Sequence, residues 1–303
     1  MKARDDISKN QVCCHVIGWD KFNSYIQIIR PYQWIKNLLV FAPIFFAGRL
    51  TEWHLLKLTI ETSVIFCAVA SLGYIVNDWM DRDQDSCHPE KCKRPIPTKR
   101  LKRRDLLLLV TLLGSFTVLL SVEYAANLSL IACIFSYLAL TTIYSLGLKN
   151  IESLEIFMVA CFFVLRVMAG GLATGIPVSD WLFLTVFFLA LLITLAKRKS
   201  ELIVLHKDAQ NHRRSLAHYS SAYLNHFLWT TGGISILTYG LYVVGNKNNI
   251  IYSIIPATYG IARFLLLVDK GRGGDPILTL VKDPHLVLTV LIFFGFICYH
   301  IYS

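Results

Sequence analysis

Cysteine is sparse and unpaired in this 303-residue chain: there are eight, scattered, and those in loops fall on the side read below as reducing. No structural disulfide is expected from them. Cys87, His88 and Cys92 lie close together but lack a second Cys or His pair nearby, so the stretch reads as a plain loop rather than a zinc site. Acids are also few, 20 Asp and Glu against 30 Lys and Arg. The first 30 residues lack the uninterrupted apolar core of a cleaved signal peptide, and no lipidation motif stands out. No soluble domain separates the apolar blocks, and no histidine is placed as an obvious catalytic base.

What is abundant is apolar sequence. Hydrophobic residues make up 55% of the chain, in blocks about as long as the ~20 residues that cross a bilayer. Nine candidate spans are centred near residues 41, 67, 114, 138, 163, 189, 233, 259 and 294. The expected fold class is therefore all-α, a polytopic membrane protein with about nine transmembrane helices occupying residues 31–303. The first span is the weakest, since it begins at Pro31 and carries Lys36 and Asn37. Before it, residues 1–30 form a lead in which Trp19, Phe22, Ile26 and Ile29 recur at helical spacing, predicting an interfacial amphipathic helix.

Lys and Arg accumulate in cytoplasmic loops. With nine spans and a cytoplasmic N-terminus, 25 of the 30 fall inside, Arg49, Lys57 and Lys247 fall outside, and Arg166 and Arg263 lie within spans. The net charge of +10 thus reads as anchorage to anionic lipid and as a counterpart to phosphorylated substrates, not as a nucleic-acid signature. The plasma (inner) membrane is the expected location. Self-association is left open by the sequence.

The two largest connections both follow even-numbered spans, as in two related halves around one cavity. Residues 79–104 carry nine Lys or Arg, and residues 197–219 carry Lys197, Arg198, Lys199, Lys207, Arg213 and Arg214. A third, residues 269–285, holds the turn-forming run Gly271-Arg272-Gly273-Gly274-Asp275-Pro276.

Chemistry concentrates at Asn77-Asp78-Trp79-Met80-Asp81-Arg82-Asp83-Gln84-Asp85. On a helix Asn77, Asp81 and Asp85 recur every four residues and Asp78 lies three before Asp81, so one face carries an oxygen ladder. Such a cluster repels itself unless compensated, and Mg²⁺ shared with substrate phosphates is the usual remedy. The plainer reading is a solvated helix end whose acids pair with Arg82, Lys91 and Lys93. Arg94, beside Pro95, is placed to aim a planar fork at a phosphate. The turn Tyr144-Ser145-Leu146-Gly147-Leu148-Lys149-Asn150 leads to Glu152 and Glu155. Arg166 follows Glu155 by eleven residues on nearly the same side, which allows either a buried ion pair or direct contact with substrate. Lys197, Arg198 and Glu201 form another phased group, and Arg30 with Lys36 brackets the entry to the first span.

The ladder resembles the first Asp-rich motif of the UbiA superfamily of intramembrane prenyltransferases. Further stretches resemble its decaprenyl-phosphate phosphoribosyltransferase branch: Arg30-Pro31-Tyr32-Gln33-Trp34-Ile35-Lys36-Asn37, the Tyr144 to Lys149 turn, Phe163-Val164-Leu165-Arg166 with Ala169-Gly170, the Lys197-Arg198 pair with Glu201, and Arg263-Phe264 with Gly271, Gly273 and Gly274. The resemblance implies nine helices around a cavity open to lipid. It also implies transfer of 5-phosphoribose from phosphoribosyl diphosphate to a polyprenyl phosphate, in the supply of cell-envelope arabinose. In that reading Asn77, Asp78, Asp81 and Asp85 hold Mg²⁺ on the diphosphate, Asp78, Asp81, Lys149 and Lys197 are catalytic, and Lys36, Arg94, Tyr144, Arg166, Arg198 and Glu201 bind substrate. Two positions depart from the branch: Glu155 stands where an Asp is expected, and Asp275 follows Gly274. A prenyltransferase acting on an aromatic or quinone precursor is the enzymatic alternative, but a second Asp-rich motif is missing after the sixth span. A transporter or lipid scaffold is less favoured, because its carboxylates belong near the bilayer midplane.

Overall fold

A computed structural model describes residues 21–86, 91–124, 126–205, 219–245 and 250–302. The described residues contain helices and no strand. In chain order they are α1 (Lys21–Ile29), a 3₁₀ helix (Pro31–Phe41) running into α2 (Ala42–Phe46), α3 (Trp53–Met80), α4 (Arg82–Ser86), α5 (Arg103–Val122) and α6 (Leu128–Leu146). Then come α7 (Leu154–Thr174), α8 (Asp180–Leu205), α9 (Ser221–Val244), α10 (Ile254–Asp269), α11 (Pro276–Lys282) and α12 (Pro284–Tyr302).

Polar punctuation sets many of the boundaries. The Asn127 side chain accepts the Leu130 amide at 3.0 Å to open α6, and Ser220 accepts the Tyr223 amide at 3.0 Å to open α9. Gly175, at φ 69, closes α7 in the left-handed region that favours glycine. Asp275 caps α11 and Pro276 starts it, so the second departure from the branch is a helix cap.

Among the described residues, eight helices are long and apolar enough to cross a membrane. The ninth expected span, the first, takes a different form: eleven residues of 3₁₀ helix and then α2, with Pro31 and Pro43 at the two starts. A 3₁₀ helix rises faster per residue than an α-helix, so these 16 residues laid end to end reach about 30 Å, a hydrocarbon thickness. The segment can stay 3₁₀ because it is held. It packs on α3 and α7, and its buried Asn37 donates to Cys67 Sγ at 3.1 Å. On α7, Gly170 meets its backbone so closely that a Cβ there would lie 1.9 Å from the Val40 carbonyl oxygen. Small residues admit such approaches between membrane helices.

Helices α3 and α7 form the centre, with more than half of their apolar stretches buried, whereas α5 and α12 are mostly exposed and lie at the rim. Phe66, Leu130, Tyr137, Met158 and Phe162 fill the space between α3, α6 and α7. Ile156, Leu192, Leu195, Leu228 and Leu265 do the same between α7, α8, α9 and α10. A helix spans Lys21–Ile29 within the stretch expected to be amphipathic: Phe22 and Ile26 face outward, while Tyr25, Ile28 and Ile29 join an apolar cluster with α3 and α5. Trp19 lies outside the described residues, as do Cys87, His88, Lys207, Arg213, Arg214 and Lys247.

Candidate active site

The oxygen ladder occupies the last turn of α3 and the start of α4. Although α3 ends at Met80, the backbone bonds Asp81 N to Asn77 O (2.9 Å) and Asp85 N to Asp81 O (2.8 Å) carry the helical phase across the break. Asn77 Nδ2 donates to Asp81 Oδ2 at 3.1 Å, and Asp78 and Asp85 are 2% and 3% exposed.

Each acid meets a base brought from elsewhere in the chain. Arg30 donates to Asp78 Oδ1 at 2.6 Å; Arg94 Nη1 spans Asp78 Oδ1 (3.1 Å) and Asp85 Oδ2 (2.7 Å); Lys149 donates to Asp81 Oδ1. Lys91 approaches Asp85 at 3.9 Å. Arg82 and Lys93, expected among the neutralising partners in the plainer reading, are not among these contacts. Arg82 instead lies over the Trp79 ring and pairs with exposed Asp83.

The sequence places Arg30 with Lys36 at the entry to the first span but assigns it no separate role. Arg30 adopts the left-handed conformation (φ 56, ψ 59) directly before Pro31, a strained backbone for a non-glycine residue worth about 1–3 kcal/mol. That turn sets its side chain over the Tyr74 ring and onto Asp78. The signal available beforehand was the Arg-Pro pair at the entry to an apolar segment.

A basic half adjoins the acidic one. Lys36 and Arg166 share the Phe163 ring, at 5.8 and 5.6 Å from its centroid. Lys36 also lies within electrostatic reach of Lys197, Asp275 and Arg30, so Arg30 connects the two halves. On α8 successive residues fan out about 100° apart. Lys197 is exposed; Arg198 is buried against α7, donating to Glu155 at 3.0 Å and to Glu201 at 2.5 Å; Lys199 turns to Asn225 and Asp269. Tyr144 packs edge-on against Phe162 and lies within electrostatic reach of Arg198.

Several expectations change on this geometry. Arg166 is not paired with Glu155: eleven residues of helix put them on one side but about 16 Å apart along the axis. Its guanidinium is instead bonded to Asn37 Oδ1 (2.7 Å), the Tyr137 hydroxyl (2.6 Å) and the Phe162 carbonyl (2.6 Å), and it is 3% exposed. Glu155 reaches Arg198 and not the ladder. Arg198 and Arg94 are engaged with carboxylates. In this conformation they hold acids in place.

The donor set suits a hard cation in one way only. Among the described residues no three acids, histidines or cysteines converge into a cage, because Arg30, Arg94 and Lys149 stand between the ladder's carboxylates. The four ladder residues are therefore not a ready-made ligand set. Mg²⁺ is commonly held by one or two carboxylates with waters and substrate phosphates, and this all-oxygen ladder fits that mode.

Burial pushes the Asp85 carboxyl above its ordinary value of 3.8, and neighbouring Asp78 adds to the rise, although Arg94 and Lys91 oppose it. A raised folded-state value means that the native chain holds more protons than the unfolded chain just above pH 3.8, so Asp85 contributes a loss of stability as pH rises through that window. In metal-free buffer, Asp85→Asn is expected to flatten this part of the curve of thermal midpoint against pH. An unchanged slope would show that Asp85 is not the group responsible.

Residues 38–282 match the UbiA prenyltransferase family. The decaprenyl-phosphate phosphoribosyltransferase of Mycolicibacterium smegmatis is 32% identical over 295 residues, covering 91% of this chain and 92% of the relative. The enzyme of the same name from Mycobacterium tuberculosis is 33% identical over 275 residues, covering 88% and 90%. Among solved structures, a UbiA homologue from Archaeoglobus fulgidus bound to GPP and Mg²⁺ superposes with a TM-score of 0.69 at 16% identity, covering 92% of this chain and 99% of that one. With eight helices long and apolar enough to cross a membrane among the described residues, no strand among them, and family similarity along most of its length, the chain belongs to the UbiA prenyltransferase family, as a multi-pass membrane transferase on the branch of the decaprenyl-phosphate phosphoribosyltransferases.

Proposed function

We propose that this protein transfers 5-phosphoribose from phosphoribosyl diphosphate to a polyprenyl phosphate, releasing diphosphate, as a step toward cell-envelope arabinose. The observation that carries the reading is the excess of base around the acid ladder. Arg30, Arg94 and Lys149 are interleaved with Asp78, Asp81 and Asp85, and Lys36, Lys197 and Arg166 gather beside them. Such a site suits a donor with more phosphate than a prenyl diphosphate carries.

In the proposed reaction an oxygen of the lipid phosphate bonds to C1 of the ribose as the C1–diphosphate bond breaks. The acceptor oxygen is already ionised at neutral pH, so no general base is required. Mg²⁺, when bound, would neutralise the diphosphate. The chain's own part is electrostatic. Lys149 lies against Asp81 and is placed to follow the charge that develops on the leaving group, and Lys197 is placed to meet it from α8. Lys36 offers a cation to a terminal phosphate. Arg94 exchanges a carboxylate for a phosphate when substrate enters, while Arg166, Arg198, Glu201 and Tyr144 keep the facing helices in register. The positive-inside pattern puts the N-terminus and the site on the cytoplasmic side of the plasma membrane.

Purified protein with Mg²⁺ should form a phosphoribosylated lipid from phosphoribosyl diphosphate and polyprenyl phosphate. It should form no product from a prenyl diphosphate with an aromatic acid. Product only in the second mixture would replace this reading with the aromatic prenyltransferase one.

A further inference from the structure

The loop between α10 and α11 contains polar groups that the reaction outlined above leaves unused. Thr279 donates its hydroxyl to the Arg272 carbonyl at 2.5 Å, turning that carbonyl toward α11. Across a trans peptide the N–H points opposite to the preceding C=O, so the Gly273 amide points away from α11. Among the described residues, the amides of Gly273 and Gly274 have no acceptor. The amides of Ile277 and Leu278 are taken by Asp275 Oδ1 at 3.0 and 3.2 Å, so the start of α11 is already satisfied and the Asp275 charge is turned onto it.

Beneath the loop, Ser200 on α8 is 1% exposed, and its hydroxyl has no partner among the described residues. A buried hydroxyl left unpaired costs about 1–3 kcal/mol. It is aimed at the loop: a Cβ on Gly273 would lie 2.8 Å from Ser200 Oγ and 2.7 Å from Val268 Cγ2, so only glycine lets the backbone sit this close. Lys199, bound to Asp269 and Asn225, pins α8 to the end of α10 and so fixes Ser200 under the loop. Two cations stand at the edge, exposed Lys197 and Lys36, the latter within electrostatic reach of both Lys197 and Asp275.

Resting on the reaction proposed above, we infer that the amides of Gly273 and Gly274, the Ser200 hydroxyl, Lys36 and Lys197 form a second anion subsite. It takes a phosphomonoester, with the loop lifting slightly to uncover Ser200. Both substrates bear such a group, the lipid headgroup on one and the ribose 5-phosphate on the other. This subsite adjoins the ladder that faces the diphosphate, and Lys197 stands between the two.

Ser200→Ala, which removes one oxygen and keeps the packing, tests this directly. The expected result is a rise of about tenfold in KM for one substrate with kcat within twofold. A rise for polyprenyl phosphate assigns the lipid headgroup, and a rise for phosphoribosyl diphosphate assigns the 5-phosphate. Gly273→Ala should raise the same KM, and if that variant fails to fold Ser200→Ala decides alone. If the wild-type protein shows no turnover, the proposed reaction fails, but equilibrium binding of decaprenyl phosphate in nanodiscs and of phosphoribosyl diphosphate still reads the subsite. Ser200→Ala should then weaken one of the two about tenfold. KM values, or affinities, within twofold of wild type for both substrates in a folded Ser200→Ala protein would overturn the subsite.

Discussion

Asp81→Asn is expected to lower transfer by about 10³-fold while leaving a folded, membrane-inserted protein. The substitution keeps the shape of the side chain and removes its charge at the one ladder acid bonded to both Asn77 and Lys149. In the proposed reaction two things are lost together: a carboxylate able to share a cation with the diphosphate, and the anchor that holds Lys149 where leaving-group charge would develop. The structural cost is small, about 1–2 kcal/mol, because Asp81 is partly exposed and water can serve Lys149 in its place. Turnover with saturating phosphoribosyl diphosphate, alongside elution volume and thermal midpoint in detergent, separates the two effects. Near-normal turnover in Asp81→Asn would remove Asp81 from the chemistry. A protein that fails to fold would move its role to structure.

The largest effect on stability is expected far from any charge. Gly170→Ala places a methyl 1.9 Å from the Val40 carbonyl oxygen and 3.3 Å from Pro43 Cδ, and the first contact is with backbone, which cannot rotate away. The 3₁₀ segment must separate from α7, at a cost of about 3 kcal/mol for overpacking. Function falls with it, since that segment carries Lys36 and Asn37, and Asn37 accepts from Arg166 at 2.7 Å. Gly114→Ala in α5 is the control: nothing lies within 4 Å of its new methyl, and alanine is favoured over glycine inside a helix by about 1 kcal/mol. A midpoint that drops for Gly170→Ala and holds or rises for Gly114→Ala is the expected pair of results. Equal midpoints would show that the close approach at Gly170 is not needed.

Much of the frame was legible beforehand because it depends on short-range rules. Apolar runs of bilayer length predict crossing helices wherever they occur, and among the described residues eight of the nine appear as helices of that length and apolarity. The phase of Asn77, Asp78, Asp81 and Asp85 follows from 3.6 residues per turn, so the ladder needed no tertiary information. The first span was harder. Pro31, Lys36 and Asn37 marked it as the weakest, but local rules do not anticipate eleven residues of 3₁₀ helix, because what stabilises it is the surface of α3 and α7.

The amino-acid sequence by itself determined the membrane setting, the all-helical class, the acid ladder and the stock of bases gathered near it. Only the tertiary structure decided which base meets which acid. Arg30 reaches Asp78 across 48 positions and Lys149 reaches Asp81 across 68, and neither pairing is written in any periodicity. Arg166 and Glu155 show the converse. They share a helix side, yet their partners are Asn37, Tyr137 and Phe162 for one and Arg198 for the other. The reason is physical: helical phase fixes the direction in which a side chain points, but an ion pair needs atoms within about 4 Å, and that distance is set by how the helices pack.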